Sequence, residues 1–498
     1  MLRPSWKTYH LEVKNYEAIS GIPTDSNKFT AHLKKEMLQS IEIMDNGFTD
    51  NQHVRMENGQ LVVSPIQANQ QSKKYQFLDE QFKARMKSIG ILDILTQAEK
   101  WLHLSQNFGQ LSGYQPRIKN YPAQFVSTLF CYGCNFGPTE AARSIPGINR
   151  KQLAWINAQH VTEKRLDKTI VQVINQYNKF QLPAYWGNGK SASADGTKWN
   201  LYEQNLLSEY HIRYGEYGGI AYYHVSDNYI ALFSHFIPCG VYEALYVLDG
   251  LIKNQSDIQP NTVHGDTHTQ SFPVFGLAYL LGIQLMPRIK KSKALTMYRP
   301  DKTTTFQHIE EAFGETINWK LIETHLPDML RVALSIKTGK ITPSAILKRL
   351  GTNNKKNKLY YAFRELGRAV RTGFLMIYYH DAELRKTINA ATNKSEEFNN
   401  FAKWIAFANH GMIRENLQYE QTKVIKYNHL ITNLLILYNT QEMTRVLREL
   451  GQEGYEISKE TLQGFSPYRM EHTNRYGSYH VDMEQDVPPL NTDFKLFV

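Results

Sequence analysis

The sequence predicts a mixed α/β protein in which a strand-rich core lies between two helical regions. Three stretches of the hydrophobic pattern indicate this. Residues 76–185 repeat apolar side chains at steps of three and four, residues 191–300 hold short β-rich runs separated by turn residues, and residues 307–440 are again helical. Strands interleaved with helices over about a hundred residues are typical of one compact α/β unit.

The chain divides into five predicted regions. They are an N-terminal polar segment and linker (1–75), a helical scaffold (76–185), the α/β core (186–306), a helical insertion (307–392), and C-terminal helices with a loop-like tail (393–498).

The elements of these regions follow from local patterns. The first region contains one predicted strand at 57–65 and a linker at 67–74, and the scaffold has its clearest helices at 91–104 and 168–180. In the core, strands are predicted for ASADGTKWN, GGIAYYHVSD, YIALFSHFIP and IQLMPRI, with helices at 241–255 and 271–282.

Composition restricts the class of protein. The chain has 498 residues, 42% hydrophobic and 12% aromatic, so it can bury large cores and is not a disordered tail. It has no apolar run long enough for a membrane span and no apolar signal core in its first twenty residues, which predicts a cytoplasmic protein. Its net charge of +10 indicates a polyanionic partner, most commonly nucleic acid.

Three cysteines exclude a disulfide scaffold. Cys131 and Cys134 have the spacing of half a zinc site, but no second Cys or His pair stands nearby at ligand spacing. The pattern therefore favours a small buried pair over a metal or redox site.

Two aspartates are predicted at strand ends. Asp195 ends the small-residue run Ser-Ala-Ser-Ala, with Gly196 expected to begin a turn, and Asp266 follows a short strand. Aspartates at the ends of neighbouring strands can face one cleft, where a hard cation such as Mg²⁺ would relieve their mutual repulsion. The alternative is that each aspartate only caps a turn.

His264 and His268 flank Asp266 and raise the possibility of zinc. Alternate residues of an extended strand point to opposite faces, so this His-x-Asp-x-His run does not converge easily on one ion. Magnesium is the better interpretation.

Five long segments of the sequence share a resemblance to one protein family. Five segments closely resemble, in the same order along the chain, the catalytic half of Tn-three family replicative transposases: LFCYGCNFGPTEAARSIPGINRKQLAWIN, GKSASADGTKWN, HGDTHTQSFPVFGLAYLLGIQLMPRI, RVALSIKTGKITPSAILKRL and NKSEEFNNFAKWIAFANHGMIRENLQYEQ. The resemblance covers most of residues 85–480. It implies an RNase H-like core with a DDE triad, which here corresponds to Asp195, Asp266 and Glu396.

The third acid has competitors. A helix is predicted from residue 395, with Gly411 as its stop, and periodicity alone leaves Glu396 and Glu397 open. The family's Asn-Lys-Gly-Glu pattern falls on Glu396, with Ser395 replacing the glycine. Glu415 and Glu420 are further alternatives.

The resemblance also implies a mechanism and its partners. The triad would hold two Mg²⁺ ions, with Mn²⁺ able to substitute, cut the 3′ ends of the transposon and join them to target DNA. The implied partners are double-stranded DNA, both inverted-repeat ends and target, and a second copy of the chain in a homodimer on DNA. The implied location is the bacterial cytoplasm, at the nucleoid.

Basic side chains near the expected cleft are candidates for phosphate contacts. They are Lys198, Arg288, Lys290, Lys291, Lys293, Lys337 and Lys340. For any single one, a solvated surface charge is the simpler explanation.

Two other functions are compatible with the sequence. One is a truncated DNA-binding remnant without autonomous transposition, since family members are usually considerably longer. The other is a general metal-dependent nuclease, which would cut DNA without joining a 3′-hydroxyl to a target.

Overall fold

The computed structural model describes residues 6–65, 73–111, 118–201, 209–211, 216–290, 292–352 and 357–495. The helices are α1 (Trp6–Ser20), α2 (Ser26–Asn46), α3 (Lys73–Arg85), α4 (Ile91–Leu102), α5 (Tyr121–Gly133), α6 (Gly137–Ser144), α7 (Arg150–His160), α8 (Glu163–Tyr177), α9 (Asp249–Lys253), α10 (Phe272–Leu281), α11 (Trp319–Lys337), α12 (Pro343–Thr352), α13 (Lys358–His380), α14 (Ala382–Ile405), α15 (Gln418–Gln452) and α16 (Lys459–Gln463).

The strands are shorter, and most lie in the middle of the chain. They are β1 (Val54–Glu57), β2 (Gln60–Val63), β3 (Ile89–Gly90), β4 (Ser191–Asn200), β5 (Glu209–His211), β6 (Glu216–Ser226), β7 (Ala231–Pro238), β8 (Thr262–Gly265), β9 (Gln284–Leu285), β10 (Met297–Arg299), β11 (Phe313–Thr316) and β12 (Thr473–Asn474). The predicted mixed α/β class is thus confirmed.

The chain forms two compact units. The first unit consists of residues 1–68, 242–253 and 261–393, and the second of residues 69–241, 254–260 and 394–498. Helix α14 runs through the last boundary. Within the described residues, no helix combines the length and apolar content that a membrane span requires.

In the first unit, α13 is the central helix. It packs against α2, α10 and α11. The parallel pairs β8–β9 and β10–β11 and the antiparallel hairpin β1–β2 also belong to this unit.

The second unit contains an antiparallel sheet and the long helix α15. Strand β6 pairs with β4 and β7 along most of its length, and β5 pairs with its first three residues. Helix α15 packs against β7 and against α4, α5 and α8. Buried side chains occupy almost every position of α15 from Gln421 to Leu447.

Several predicted elements need correction. Helices α1 and α2 lie in the segment that we expected to be only polar, although Phe29, Leu33, Met37 and Ile41 recur every fourth residue and are all buried. Residues 241–255 form only a 3₁₀ turn and the short α9, not a continuous helix.

The helix expected to stop at Gly411 ends earlier, at Ile405. A separate turn, Ala408–Gly411, follows it, and in this turn Asn409 and His410 both have a φ of 52°, a conformation that does not continue a right-handed helix. Most of the predicted linker at 67–74 lies outside the described residues.

Candidate active site

Asp195 lies within β4 and not at its end. It pairs with Tyr223 of β6, and the pairing continues through Gly196 to Asn200. The turn expected at Gly196 is therefore wrong, because β6 supplies hydrogen-bonding partners on both sides of the aspartate. Asp195 is half-buried and follows the small-residue run Ser-Ala-Ser-Ala.

Helix α14 covers the face of β4 that carries Asp195. The Asn399 amide donates a hydrogen bond to Asp195 Oδ2 at 2.8 Å, and the hydroxyls of Ser193 and Ser395 lie 2.7 Å apart. Residues two apart on a strand, such as Ser193 and Asp195, share a face, and so do residues four apart on a helix, such as Ser395 and Asn399. The two contacts therefore lie side by side between β4 and α14. The sequence pattern gave no indication of Asn399.

The contact with Asp195 defines the orientation of the Asn399 amide. A carboxylate only accepts hydrogen bonds, so the NH₂ group faces Asp195 and the carbonyl Oδ1 faces away. This buried Oδ1 has no hydrogen-bond partner among the described residues. The site therefore retains acceptor capacity for a bound water or another polar ligand.

Glu396 and Glu397 lie on different sides of α14. Glu396 precedes Asn399 by three residues, which places both on the side of Asp195. The Glu397 carboxylate instead raises the pKa values of Tyr75, Tyr229 and Tyr468, in addition to the effect of burial. The Glu397 pKa is itself raised, mainly by desolvation.

Lys394 anchors this part of α14 to the loops beside the sheet. Its ammonium donates to the Trp186 carbonyl at 3.0 Å and to the Asp227 carbonyl, and it lies 4.3 Å above the Tyr229 ring. Burial lowers the Lys394 pKa to about 8. Since the lysine contacts backbone carbonyls, no local sequence pattern could have revealed this role.

Asp266 belongs to the first unit and directly follows β8, as predicted. It is half-exposed, and its carbonyl accepts hydrogen bonds from the Thr269 amide and hydroxyl at 3.1 and 2.7 Å. Burial raises the pKa of Tyr242, and the Asp266 carboxylate raises it further. Asp266 thus ends a strand and begins a tight turn.

His264 lies in β8 and contacts the segment that follows β9. Its ring is buried and Nδ1 lies 3.2 Å from the Met286 carbonyl. The His268 side chain lies outside the described residues. Cys131 and Cys134 are both buried with free thiols, in agreement with the predicted small pair.

Glu415 and Glu420 lie near a buried lysine. Lys423 Nζ is 3.2 Å from Glu420 Oε2, which also accepts a hydrogen bond from Asn157 at 3.0 Å. Burial raises the Glu415 pKa, and Glu420 raises it further. The ion pair with Lys423 lies within α15, and the hydrogen bond from Asn157 joins Glu420 to α7.

The predicted basic residues have varied surroundings. Lys293 pairs with Glu57 at 2.7 Å, and Lys337 lies 4.8 Å from the Tyr16 ring centroid. Lys290 and Lys340 are exposed, whereas Lys198 and Arg288 are half-buried. Lys291 lies outside the described residues.

The acidic residues are distributed over both units. Asp195 and Glu396 belong to the second unit and Asp266 to the first. Within the part of the chain that the structure describes, no three His, Cys, Asp or Glu side chains are grouped closely enough to hold a metal ion.

Comparison with known proteins gives a consistent family. The model of the Tn3 transposase DDE domain matches residues 93–479. The transposase for transposon Tn501 of Pseudomonas aeruginosa is 30% identical over 423 residues, 84% of this chain and 42% of that protein. The transposase for transposon Tn1546 of Enterococcus faecium is 29% identical over 437 residues, 87% of this chain and 44% of that protein.

A more distant relative aligns over almost the whole chain. The transposase for transposon gamma-delta of Escherichia coli K12 is 24% identical over 489 residues, 97% of this chain and 48% of that protein. The chain thus spans less than half the length of these relatives.

Proposed function

Because the chain belongs to the Tn3 transposase DDE domain family, we propose that it cuts DNA at the 3′ ends of a transposable element and joins them to target DNA. The observation that carries this proposal is the contact of Asp195 with Asn399, one helical turn from Glu396. This contact supports the proposal that Asp195 and Glu396, which are distant in the chain, act at one site.

We assign Asp195, Asp266 and Glu396 as the metal-binding carboxylates. The donor set fits Mg²⁺, because all three side chains offer hard oxygen ligands, and the orphaned Asn399 Oδ1 could accept from a metal-bound water. Mn²⁺ would substitute. When bound, the ions activate the attacking hydroxyl group and stabilise the leaving oxygen.

The protein's own residues position the reaction. Asn399 orients the Asp195 carboxylate, and Lys394 holds the start of the Glu396 turn against the Trp186 and Asp227 carbonyls. The cationic Lys198 side chain of β4, a neighbour of Lys403 of α14, is suited to neutralising a phosphate oxygen.

The proposed reaction consists of two phosphoryl transfers. Water first displaces the 3′-oxygen at the transposon end, which leaves a free 3′-hydroxyl. That hydroxyl then attacks a target phosphodiester, so one P–O bond forms as another breaks. No covalent bond forms between protein and DNA.

The finer architecture is part of the same proposal. The α/β core would be RNase H-like, with residues 307–392 as its helical insertion, and the active species would be a homodimer on inverted-repeat DNA. The antiparallel β4, β6 and β7 with a helix against β4 are compatible with that core.

A strand-transfer assay tests the proposal. A pre-cut end duplex from the element that carries this gene is incubated with target plasmid and Mg²⁺. We expect Asp195→Asn, Asp266→Asn and Glu396→Gln each to reduce joining by at least about 100-fold, because each removes a metal ligand. Glu397→Gln is the matched control and should retain activity, since Glu397 faces tyrosines.

Two outcomes would contradict the proposal. Full joining by any of the three carboxamide variants that still binds the duplex would disprove the triad. Cleavage by the unmodified chain without any joining would make it a nuclease.

A further inference from the structure

A basic, aromatic pocket opens beside the contact between Asp195 and Asn399. Its volume is about 330 Å³, and its wall contains Lys198 and Trp199 of β4, Lys403 of α14, and Phe407, Arg475 and Tyr476 from later segments. All of these residues belong to the second unit. None of the described residues that line the pocket carries a carboxylate.

The electrostatics of the pocket favour an anion. Desolvation lowers the pKa of Lys403, nearby Lys198 lowers it further, and Asp195 opposes both effects. Arg475 adds a third positive side chain to the same wall. A phosphate group would relieve the repulsion among these cations.

The aromatic side of the pocket favours a flat ring. Tyr476 is 69% exposed, and its ring lies 5.1 Å from that of Phe407 at an interplanar angle of 73°. Arg475 lies 4.7 Å from the Trp404 ring and donates to the Trp404 carbonyl at 3.2 Å, which holds the guanidinium beside Tyr476. An exposed aromatic face next to a fixed guanidinium is suited to stacking on a nucleobase.

The turn that forms one side of the pocket is strained but firmly held. Asn409, His410 and Gly411 all have left-handed φ values of 52°, 52° and 72°. Asn135 donates to the Met412 carbonyl at 2.8 Å, and Asn409 donates to the Phe136 carbonyl at 3.1 Å. Reciprocal contacts that maintain a costly backbone conformation are common at ligand sites.

From these observations we infer that the pocket binds one unpaired nucleotide of the DNA substrate. Lys198, Lys403 and Arg475 contact its phosphate, and Tyr476 stacks on its base. Neighbouring base pairs cover the base faces of a duplex, so stacking on Tyr476 requires a base that has left the helix.

The position that we assign to this nucleotide in the reaction rests on the proposed function. Lys403 lies one turn beyond Asn399 on α14, a rise of about 6 Å. The bound nucleotide is therefore a near neighbour of the phosphate that is cut.

The experiment uses the full chain with EDTA, so binding is measured without cleavage. The probe is an oligothymidine of about twelve nucleotides with one central 2-aminopurine, whose fluorescence is quenched by stacking. Tyr476→Ala should weaken binding by about 5- to 150-fold and abolish quenching, whereas Tyr476→Phe should match the unmodified chain. Tyr455→Ala is the control, because Tyr455 is also well exposed, at 43%, and lies outside the pocket.

A duplex of the same length distinguishes binding of an unpaired base in the pocket from general affinity for DNA. Its binding should change by less than about twofold in Tyr476→Ala, because no unpaired base is present. The inference is overturned if Tyr476→Ala retains single-strand affinity and quenching, or if it loses duplex affinity to the same degree. Both readouts are independent of catalysis, so an inactive triad would not imitate either result.

Discussion

At the level of single residues, one amide binds the Asp195 carboxylate directly. Asn399 donates to Asp195 at 2.8 Å, and hydrogen bonds to a charged acceptor are about twice as strong as neutral ones. Groups that orient a metal ligand commonly alter metal affinity by 10- to 100-fold when they are removed. Asn399 is therefore a positioning residue for the proposed chemistry.

We predict that Asn399→Ala raises the Mg²⁺ concentration for half-maximal strand transfer by about 10- to 100-fold. The maximal rate at saturating Mg²⁺ should recover substantially, because the carboxylates remain. Asn400→Ala is the control, since Asn400 is the exposed neighbour on α14. An unchanged Mg²⁺ requirement in Asn399→Ala would exclude the positioning role.

At the level of secondary-structure elements, the packing of α10 against α13 depends on two glycines. A Cβ on Gly367 would lie 1.8 Å from the Phe272 carbonyl oxygen, and one on Gly276 would lie 2.6 Å from the Phe363 carbonyl oxygen. Backbone atoms cannot move aside as the end of a flexible side chain can. The two helices therefore approach closely only where both side chains are hydrogen.

We predict that Gly367→Ala destabilises the first unit by about 1–3 kcal/mol, the usual cost of overpacking a core. Gly373→Ala is a matched control on the same helix, because its nearest neighbour would be Ser40 Oγ at 3.6 Å, an ordinary contact. The control should be neutral or stabilising by up to about 1 kcal/mol, since alanine favours helices over glycine. Urea unfolding of both variants measures the difference, and equal stabilities would refute the packing argument.

Helix α15 shows how a polar sequence can be fully buried. The His429 Nδ1 lies 3.0 Å from the Ser234 hydroxyl and its Nε2 lies 3.0 Å from the Ala231 carbonyl, so both ring nitrogens have partners. Burial lowers the His429 pKa to about 3, which keeps the ring neutral. The Lys426 ammonium likewise lies 2.6 Å from Asp167 and donates to the Ser234 carbonyl. These pairings join α15 to β7 and α8.

At the level of the whole molecule, the net charge of +10 leads us to expect that the proposed binding of DNA weakens as salt rises. Each phosphate contact contributes a slope of about 0.9 in a plot of log affinity against log salt. Arg288 and the exposed Lys290 follow β9 within five residues and are two of the predicted phosphate contacts in the first unit.

We predict that Arg288→Ala combined with Lys290→Ala reduces this slope by about 2 on duplex DNA, because two phosphate contacts are lost. The control is the double variant Lys14→Ala and Lys35→Ala, which removes the same total charge from exposed positions on α1 and α2. Fluorescence anisotropy across a salt series measures both. Equal slopes in the two double variants would show that the Arg288 and Lys290 side chains make no phosphate contact.

The sequence by itself determined the mixed α/β class, most of the helices and long strands, and the position of Asp266 after β8. Each of these depends on a local period of apolar residues or on a turn residue. The same reasoning missed α2, whose fourfold spacing was visible, and it extended the third-acid helix too far. Two consecutive left-handed residues, Asn409 and His410, have no strong local signature.

Only the tertiary structure decided how residues distant in the chain meet. It placed Asn399 against Asp195, brought Glu397 near Tyr229, and assembled the pocket around Lys198 and Tyr476. The physical reason is that periodicity reports only which face of an element is apolar. Which side chain of another element lies opposite that face depends on packing across long separations of sequence.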